Sequence, residues 1–439
     1  MKLYTQLPRI FLVAIIFFVA CSKGSDTVPT PPPSGPTPPA ASAGVSTTNL
    51  LSDGFNISWS AVAGVDGYNL YVSTDAGFTM PVAGYNPRST TATTEKMLGL
   101  NPLTHYFIKV ESVKSGLKSS AVNTSVTTED KSVYVWGWEE QAGAQSMAKY
   151  WKNGIEVALT VPSGVTTQAT AMCISGNDIY VAGMRQVGYS DYAPMYWKNG
   201  VPVLQLGSSS IGGTSGICVN GDDVYVSGFD LFFYAYLGCY WKNGSIVPIG
   251  TSGHAAAVRA MTVVGNDVYL CGLTAGPTGS NCATYWKNGV ATEVVNTFPS
   301  DASSISVYNG DVYMSGYIDN GSKRIITYWK NGTEVPVSNP SVNGYPGGIF
   351  VSGGDVYVTG MESATSTTQA KYWKNGTPYN LLNGSNDTPV GIFVSGSDVY
   401  VAGTEIVTPY RRAKYWKNGN AVYLGNGSSN SYANGILVK

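Results

Sequence analysis

The chain has 439 residues, more than one ordinary domain contains, so two or three folded units are expected. Lysine and arginine number 26 against 27 aspartates and glutamates, and a net charge of −1 argues against nucleic acid or an anionic membrane surface as a partner. Only 12% of residues are charged, whereas 52 are glycine and 30 are tyrosine, a composition that favours short strands joined by tight turns.

Residues 1–20 predict an export signal. A positively charged start is followed by the apolar run 10–20, which is too short to span a bilayer. The run ends in Phe18-Val19-Ala20-Cys21, which resembles a bacterial lipobox, although that family usually has leucine at the position of Phe18. The resemblance implies that Cys21 is lipidated and becomes the mature N-terminus. An ordinary secretory signal followed by an incidental cysteine is the alternative.

Residues 21–42 are predicted to form the lipidated cysteine and a tether. Their repeated prolines favour extended polyproline II, which acts as a semi-rigid spacer and cannot bury a core. Lipid, spacer and folded domains in this order are the layout of a cell-envelope lipoprotein. We therefore expect an outer-membrane lipoprotein that is exposed at the cell surface.

Residues 43–129 alternate polar and apolar side chains in short bursts, which predicts antiparallel strands with one solvated face. The segment Leu98 to Tyr106, together with Trp59, resembles the fibronectin type III pattern, in which a leucine and a tyrosine close the corner between two sheets. The resemblance implies a β-sandwich that serves as a spacer or docking module. His105 is expected to be an outward-facing strand residue.

Residues 130–439 are predicted to form a seven-bladed β-propeller. The pentapeptide Tyr-Trp-Lys-Asn-Gly recurs at spacings of 43 to 46 residues, which is a propeller or solenoid period. Each period has four short strands and no helical periodicity, as a propeller blade requires. The pentapeptide begins at Tyr150, Tyr196, Tyr240, Tyr285, Tyr328, Tyr372 and Tyr415.

The two ends of the repeat region predict how the ring closes. We name the four strands of a repeat A (Gly-Ile-x-Val), B (Asp-Val-Tyr-Val), C (ending in the pentapeptide) and D. The region begins with a B strand at 132–135 and ends with an A strand at 435–438. Pairing of these two strands completes the first blade and removes exposed sheet edges.

Residues that recur in every repeat are predicted to be structural. The pentapeptide tyrosine and tryptophan should fill the space between blades, and the aspartate that starts strand B should bond its own turn. The pentapeptide lysines and six of these aspartates should share one end of the ring and balance its charge.

Binding is predicted at the opposite, loop-rich end, where the long B–C and D–A loops lie. These loops are aromatic and polar, which suits a sugar ring or a peptide. The candidate binding residues are Trp136, Trp138, Tyr189, Tyr192, Phe229, Phe232, Phe233, Tyr234, Tyr236, Tyr317, Tyr345, Tyr410 and Arg411.

Catalytic chemistry is less well supported by the sequence. Two carboxylates suffice for a glycosidase, but nothing in the spacing selects a pair. The repeats contain one histidine, His254, and no Cys-x-x-Cys, so neither a metal nor a cofactor is predicted. The remaining five cysteines are expected to be buried apolar residues, with a Cys271–Cys282 disulfide as the alternative. The loop carboxylates are Glu139, Glu140, Asp230, Asp319, Glu362 and Glu405.

The whole arrangement resembles surface lipoproteins of Bacteroidetes-type bacteria, and the pentapeptide resembles Trp-x-Asn-Gly repeats of extracellular bacterial proteins. Neither resemblance implies an established activity. The sequence favours a monomeric binding or adhesion protein with a glycan or protein ligand. The alternatives are a carbohydrate-active hydrolase or lyase and a structural scaffold of an envelope complex.

Overall fold

The computed structural model describes residues 35–48, 50, 52–141, 145–161, 165–189, 191–206, 211–232, 235–249, 256–276, 279–294, 297–364, 367–425 and 427–439. Across these residues the protein is all-β, without a helix. Among them, consequently, no helix is long and apolar enough to cross a membrane. The export signal, Cys21 and most of the predicted tether lie outside the described residues.

The chain divides into two compact units. The first contains residues up to Asn49, Phe55–Met97 and His105–Thr127, and the second contains Leu50–Gly54, Leu98–Thr104 and Thr128–Lys439.

The first unit consists of two antiparallel sheets, with strand orders β1-β2-β5 and β4-β3-β6-β7, and with β8 also paired to β6. Its core contains Trp59 edge-on to Tyr68, with ring centroids 5.6 Å apart. His105 is exposed, and its Nδ1 lies 2.8 Å from Thr127 Oγ1, in agreement with an outward-facing strand residue. The strands are β1 (Ser46–Thr48), β2 (Gly54–Ser58), β3 (Gly67–Ser73), β4 (Arg88–Thr90), β5 (Thr94–Leu98), β6 (His105–Lys114), β7 (Leu117–Lys118) and β8 (Val122–Thr127).

The second unit contains seven four-stranded antiparallel sheets in the described residues, which we number S1 to S7 along the chain. S1 comprises the final strand β36 (Ser431–Val438), β9 (Val133–Gln141), β10 (Gln145–Lys152) and β11 (Ile155–Ala158), in that order. S2 comprises β12 (Thr167–Ser175), β13 (Asp178–Gln186), β14 (Tyr192–Lys198) and β15 (Val201–Gln205). S3 comprises β16 (Gly212–Asn220), β17 (Asp223–Phe232), β18 (Ala235–Lys242) and β19 (Ser245–Pro248). S4 comprises β20 (Ala256–Val264), β21 (Asp267–Ala275), β22 (Asn281–Lys287) and β23 (Val290–Glu293).

The last three sheets repeat this order. S5 comprises β24 (Ser300–Tyr308), β25 (Asp311–Asp319), β26 (Arg324–Lys330) and β27 (Thr333–Pro336). S6 comprises β28 (Asn343–Ser352), β29 (Asp355–Ser363), β30 (Thr368–Lys374) and β31 (Thr377–Ser385). S7 comprises β32 (Thr388–Ser395), β33 (Asp398–Val407), β34 (Tyr410–Lys417) and β35 (Asn420–Tyr423), and the final strand is β36 (Ser431–Val438).

The A strands of successive sheets contact one another from β12 through β32 to β36, and β36 in turn contacts β12. Strand β36 pairs with β9 along its length, from Ser431 opposite Glu139 to Val438 opposite Val133. The C-terminal strand therefore supplies the A strand of S1, as the sequence predicts. Radially repeated four-stranded sheets that contact in a closed series define a β-propeller.

The pentapeptide tryptophans lie between sheets. Each is at most 1% exposed, and Trp197 of S2 packs with Tyr150 and Leu159 of S1. The predicted role of these aromatic residues in filling the space between sheets is confirmed. Because these tryptophans pack against the neighbouring sheet, each sheet of the second unit depends on its neighbours for a buried core.

A repeated polar network lies at the end of the sheets where the short A–B and C–D turns are, opposite the loop-rich end. In S4, Asn288 Oδ1 accepts a hydrogen bond from Val268 N at 2.8 Å, and its Nδ2 donates one to Asp267 Oδ1 at 2.7 Å. Lys287 pairs with the same carboxylate at 2.8 Å, and this bond lowers the pKa of Asp267. The prediction that the aspartate bonds its own turn was wrong, because its partners are the lysine and asparagine of the pentapeptide and the tyrosine of its own strand. The six equivalent pairs are Lys198–Asp178, Lys242–Asp223, Lys287–Asp267, Lys330–Asp311, Lys374–Asp355 and Lys417–Asp398.

Candidate ligand pocket at the loop-rich end

A glycine near the middle of each B strand allows the neighbouring A strand to approach closely. A Cβ added to Gly272 would lie 1.8 Å from the carbonyl oxygen of Ala257, and the other six equivalent glycines face similar clashes. Each A strand has a β-bulge at this level, in S4 between Val258 and Ala260. A bulge bends its strand and redirects the side chains beside it.

The residue that follows this glycine defines a ring of side chains at the loop-rich end of the sheets. Each such residue lies directly opposite a residue of the A strand, so the two share one face of the sheet. We call these couples the rim pairs. They are Trp138–Tyr432, Met184–Gln168, Phe229–Gly213, Leu273–Ala257, Tyr317–Asp301, Met361–Tyr345 and Thr404–Thr388.

A pocket of about 420 Å³ lies where the A-strand members of the rim pairs are small. In S3 and S4 these members are Gly213 and Ala257, whereas S1 and S6 have Tyr432 and Tyr345 at the equivalent position. The volume falls within the usual range for small-ligand sites. We call this cavity the rim pocket. Its lining consists of Met184, Tyr192, Ile211, Gly212, Phe229, Ala256, Ala257, Val258, Arg259 and Leu273.

Phe229 is the most exposed ring of this lining, with 40% of its surface accessible. A Cβ on Gly213 would lie 2.6 Å from Phe229 Cε1, so the ring lies against the bare backbone of β16. The absence of a side chain at Gly213 thus positions an aromatic ring that a ligand can contact.

Arg259 is the one charged residue among the described residues that line the rim pocket. It is the extra residue of the β20 bulge, and half of its side chain is exposed. Its Nη2 lies 3.2 Å from Asp301 Oδ2. Burial raises the pKa of Asp301, and Arg259 partly offsets this effect. The pocket therefore combines an apolar lining with a single cation at its edge.

The predicted aromatic residues are divided among several environments. Tyr192 and Phe229 line the rim pocket. Trp136 instead packs between S1 and S2, where its Nε1 donates to Thr170 O at 3.0 Å. Trp138 stacks on Tyr432 with centroids 3.8 Å apart, so much of its ring is already covered.

The remaining candidates do not join the pocket lining. The guanidinium of Arg411 lies 5.7 Å from the Tyr432 ring, and that of Arg324 lies 4.7 Å from the Tyr317 ring. Tyr189 is fully exposed, and Tyr345 and Tyr410 are partly exposed on other sheets. Phe233 and Tyr234 lie outside the described residues, as do the side chains of Phe232 and Tyr236, although their strands are described.

Three of the six candidate carboxylates form ion pairs with the lysine that precedes a pentapeptide. Glu139 pairs with Lys149, Glu362 with Lys371 and Glu405 with Lys414. These pairs occupy S6, S7 and S1, which are consecutive around the ring. Since the carboxylates are engaged with buried or half-buried lysines, they contribute to the fold of these sheets.

The other three carboxylates also have partners within the protein. Glu140 accepts from Asn430 Nδ2 at 2.7 Å, and Asp319 lies 3.6 Å from Arg324. Asp230 is buried and accepts from the Leu231 amide at 3.0 Å. No two of the six form a carboxylate pair around the rim pocket in the described residues.

The five described cysteines are free thiols. Cys271 lies opposite Tyr285 and Cys282 opposite Thr274, so a disulfide across this hairpin would need a different register. Burial raises the pKa of Cys271 well above its usual range, which makes this thiol unreactive. Within the described residues, no group of three or more histidine, cysteine, aspartate or glutamate side chains could hold a metal ion.

Comparisons with known proteins find only distant likenesses among solved structures. No protein-family model matches the sequence, and no curated protein is similar to it. Among solved structures, a putative TolB from Agrobacterium tumefaciens matches at 11% identity with a TM-score of 0.36, covering 57% of this chain and 87% of that one. The β-propeller domain of the Trilobed protease from Pyrococcus furiosus matches at 9% identity with a TM-score of 0.37, covering 79% and 98%.

An acylaminoacyl peptidase from Pyrococcus horikoshii matches at 12% identity with a TM-score of 0.42, covering 68% of this chain and 50% of that one. This chain thus spans half the length of that peptidase. Likenesses this distant add nothing to the strand order and contacts of the second unit, which by themselves define the class as β-propeller.

Proposed function

We propose that this protein is a cell-surface lipoprotein that acts as a binding module, with its ligand seated in the rim pocket. The observation that carries the proposal is the coincidence of an apolar pocket, an exposed aromatic ring at Phe229 and one half-exposed cation at Arg259. Mostly apolar concave sites with a few convergent polar groups are typical of ligand binding.

The alternatives have less support from the same geometry. A hydrolase or lyase needs two carboxylates flanking the bond to be cleaved. The six loop carboxylates have partners within the protein, and none of them lines the rim pocket. A scaffold that docks by a broad flat surface would not require a pocket of this volume.

We further propose that the seven sheets are the blades of a seven-bladed propeller spanning 130–439. For 43–129 we propose a fibronectin type III-like domain, supported by a sheet of order β1-β2-β5 and a second sheet of order β4-β3-β6-β8, to which the two-residue strand β7 adds a short pairing with β6. These orders correspond to three- and four-stranded sheets of such a sandwich. The lipidated Cys21 and the tether 21–42 would hold both units at the outer membrane.

Filling the rim pocket tests the binding proposal. The substitution Ala257→Tyr installs the residue that S1 and S6 already carry at the equivalent position, so we expect the fold to tolerate it. Wild-type protein should bind specific members of combined glycan and peptide arrays, and the variant should lose at least about tenfold in affinity.

The matched control is Tyr345→Ala, which removes a tyrosine from the same position of S6 and should leave binding unchanged. Equal binding by wild type and Ala257→Tyr, with thermal unfolding intact in both, would move the ligand site away from the rim pocket.

Lipidation is tested independently of ligand binding. In a Gram-negative bacterial host, the wild-type chain should incorporate labelled palmitate and fractionate with the outer membrane, because a thioether-linked lipid and an acyl chain together anchor stably. The Cys21→Ala variant should incorporate no label. Release of the unlabelled wild-type protein into the soluble periplasmic fraction would contradict the lipoprotein assignment and support the ordinary secretory signal.

A further inference from the structure

The lining of the rim pocket distinguishes between the two ligand classes that the sequence leaves open. A sugar ring presents hydroxyl groups on its edges, and these need several hydrogen-bonding side chains. Met184, Ile211, Val258 and Leu273 offer none, and the polar side chains of the described lining are those of Tyr192 and Arg259. This surface suits an apolar side chain better than a neutral sugar.

The charge at the pocket edge specifies what should lie beside that apolar group. The Arg259 guanidinium has five N–H donors. Its one partner among the described residues is Asp301, through Nη2 at 3.2 Å. The carboxylate of Asp301 is 13% exposed whereas Arg259 is 50% exposed, so the cation is the more accessible member of the pair. The nearby Asp230 is buried and is not part of the lining.

We propose that the rim pocket captures the C-terminal residue of a peptide or protein, with its apolar side chain against Phe229 and its α-carboxylate on Arg259. This inference depends on the proposed function, because it assigns a ligand class to the same pocket. A C-terminal residue carries an apolar side chain and a carboxylate on one carbon, which matches a cation set at the edge of a single apolar pocket. Capture of a C-terminal carboxylate is a recurring mode of peptide recognition that elsewhere uses backbone N–H groups. Here a guanidinium, which pairs with carboxylates through two parallel hydrogen bonds, would take that place.

The direct test uses three matched hexapeptides labelled at the N-terminus, each with five Gly/Ser residues before its last residue. One ends in Phe with a free carboxylate, one in Phe amide and one in Ser with a free carboxylate. Fluorescence anisotropy with the purified full chain should show that the Phe acid binds at least about tenfold more tightly than the Phe amide. The Phe acid should also bind at least about tenfold more tightly than the Ser acid, because burial of the phenyl ring in the apolar pocket is favourable.

The variant Arg259→Gln should bind the Phe acid and the Phe amide equally while retaining wild-type affinity for the amide. If this variant does not fold, Arg259→Lys keeps the charge but lacks the planar fork, and it should show a reduced preference for the acid. Equal binding of acid and amide by wild-type protein would overturn the inference, as would an acid preference that survives in Arg259→Gln.

Failure of the ligand class can be separated from failure of the pocket. If none of the peptides binds while a glycan binds in a manner blocked by Ala257→Tyr, the peptide inference is wrong and the binding function of the pocket remains. If no glycan or peptide binding depends on Ala257→Tyr, the pocket proposal itself is wrong.

Discussion

Deletion of residues 431–439 is expected to abolish cooperative folding of the second unit. These residues form β36, which is the A strand of S1 and contacts both neighbouring sheets, S7 and S2. The deletion removes the buried side chains of Ala433, Ile436 and Val438 and exposes the pairing edge of β9. Burial of one such aliphatic side chain contributes about 1.5–3 kcal/mol, and an unpaired internal edge invites aggregation.

Differential scanning calorimetry of the full chain should show the transition of the second unit, and the deletion variant should lack it or precipitate. The control is Lys439→Ala, which alters the last residue and preserves the paired strand up to Val438. A deletion variant that retains the transition at an unchanged temperature would show that the ring does not depend on the terminal strand.

Replacement of Lys414 by methionine is expected to lower the free energy of unfolding by about 3–5 kcal/mol, as when one partner of a buried ion pair is removed. Lys414 has no exposed side-chain surface and lies 2.5 Å from Asp387, which is equally buried. Glu405 lies 3.5 Å from the same ammonium and keeps Arg412 as a second partner. The variant therefore leaves the carboxyl group of Asp387 buried without its counter-charge, so the group must either stay ionised there or take up a proton.

The loss of stability in the Lys414→Met variant should depend on pH, and the pKa of Asp387 sets the direction of that dependence. Burial raises the pKa of Asp387 to about 6, against the attraction of Lys414. The ionised form is thus less stable in the fold than in the unfolded chain, so stability falls as the pH rises through this range and recovers below pH ~4. Without Lys414 the pKa should rise further, and the penalty measured at pH 7 should shrink on acidification.

The matched control for Lys414→Met is Lys417→Met on the same strand. Lys417 pairs with Asp398 at 3.3 Å, but about half of its side chain is exposed. Exposed pairs contribute about 0–1 kcal/mol, so this variant should unfold close to wild type in urea titrations. Equal losses in the two variants, or a Lys414→Met penalty that grows on acidification, would contradict the buried ion-pair assignment.

The sequence predicts the sheets well because their determinants are local and recur. Each pentapeptide places an Asn-Gly turn with positive φ at both residues, as at Asn288 and Gly289, and this turn fixes the C–D hairpin. The unmatched strands at the two ends predict the pairing of β36 with β9. Such features depend on neighbouring residues and on the count of strands, both of which are readable from one sequence.

The rim pocket was not predicted because it arises from what two repeats lack. It lies where Gly213 and Ala257 replace the tyrosines of S1 and S6. The sequence prediction used exposed aromatic residues as its signal for binding, and a pair of small residues does not give that signal. Aligning the repeats on the B-strand glycine would have revealed the rim pairs and this gap. The Glu–Lys pairs of S6, S7 and S1 could be found in the same way.

The aromatic residues that were predicted to lie on binding loops illustrate the opposite error, since two of them lie within strand β9. Trp136 and Trp138 are separated by one residue and cannot be told apart by their local sequence. In the fold, Trp136 packs against Thr170, whereas Trp138 stacks on Tyr432. Their contacts come from residues 34 and nearly 300 positions away along the chain. Packing of the neighbouring sheet S2 supplies the partner of Trp136, and pairing of β36 with β9 supplies that of Trp138. Local sequence therefore could not separate packed from accessible rings.

The central claim, that the loop-rich end contains an occupiable apolar pocket, is tested most directly by titration with anilinonaphthalene sulfonate. This probe combines an apolar ring system with an anion and fluoresces when it is bound to apolar surface. The folded wild-type chain should bind one equivalent saturably, and Ala257→Tyr should abolish that binding while Tyr345→Ala preserves it. Saturable binding that is unchanged in a folded Ala257→Tyr variant, or no binding by the wild-type protein, would contradict the claim.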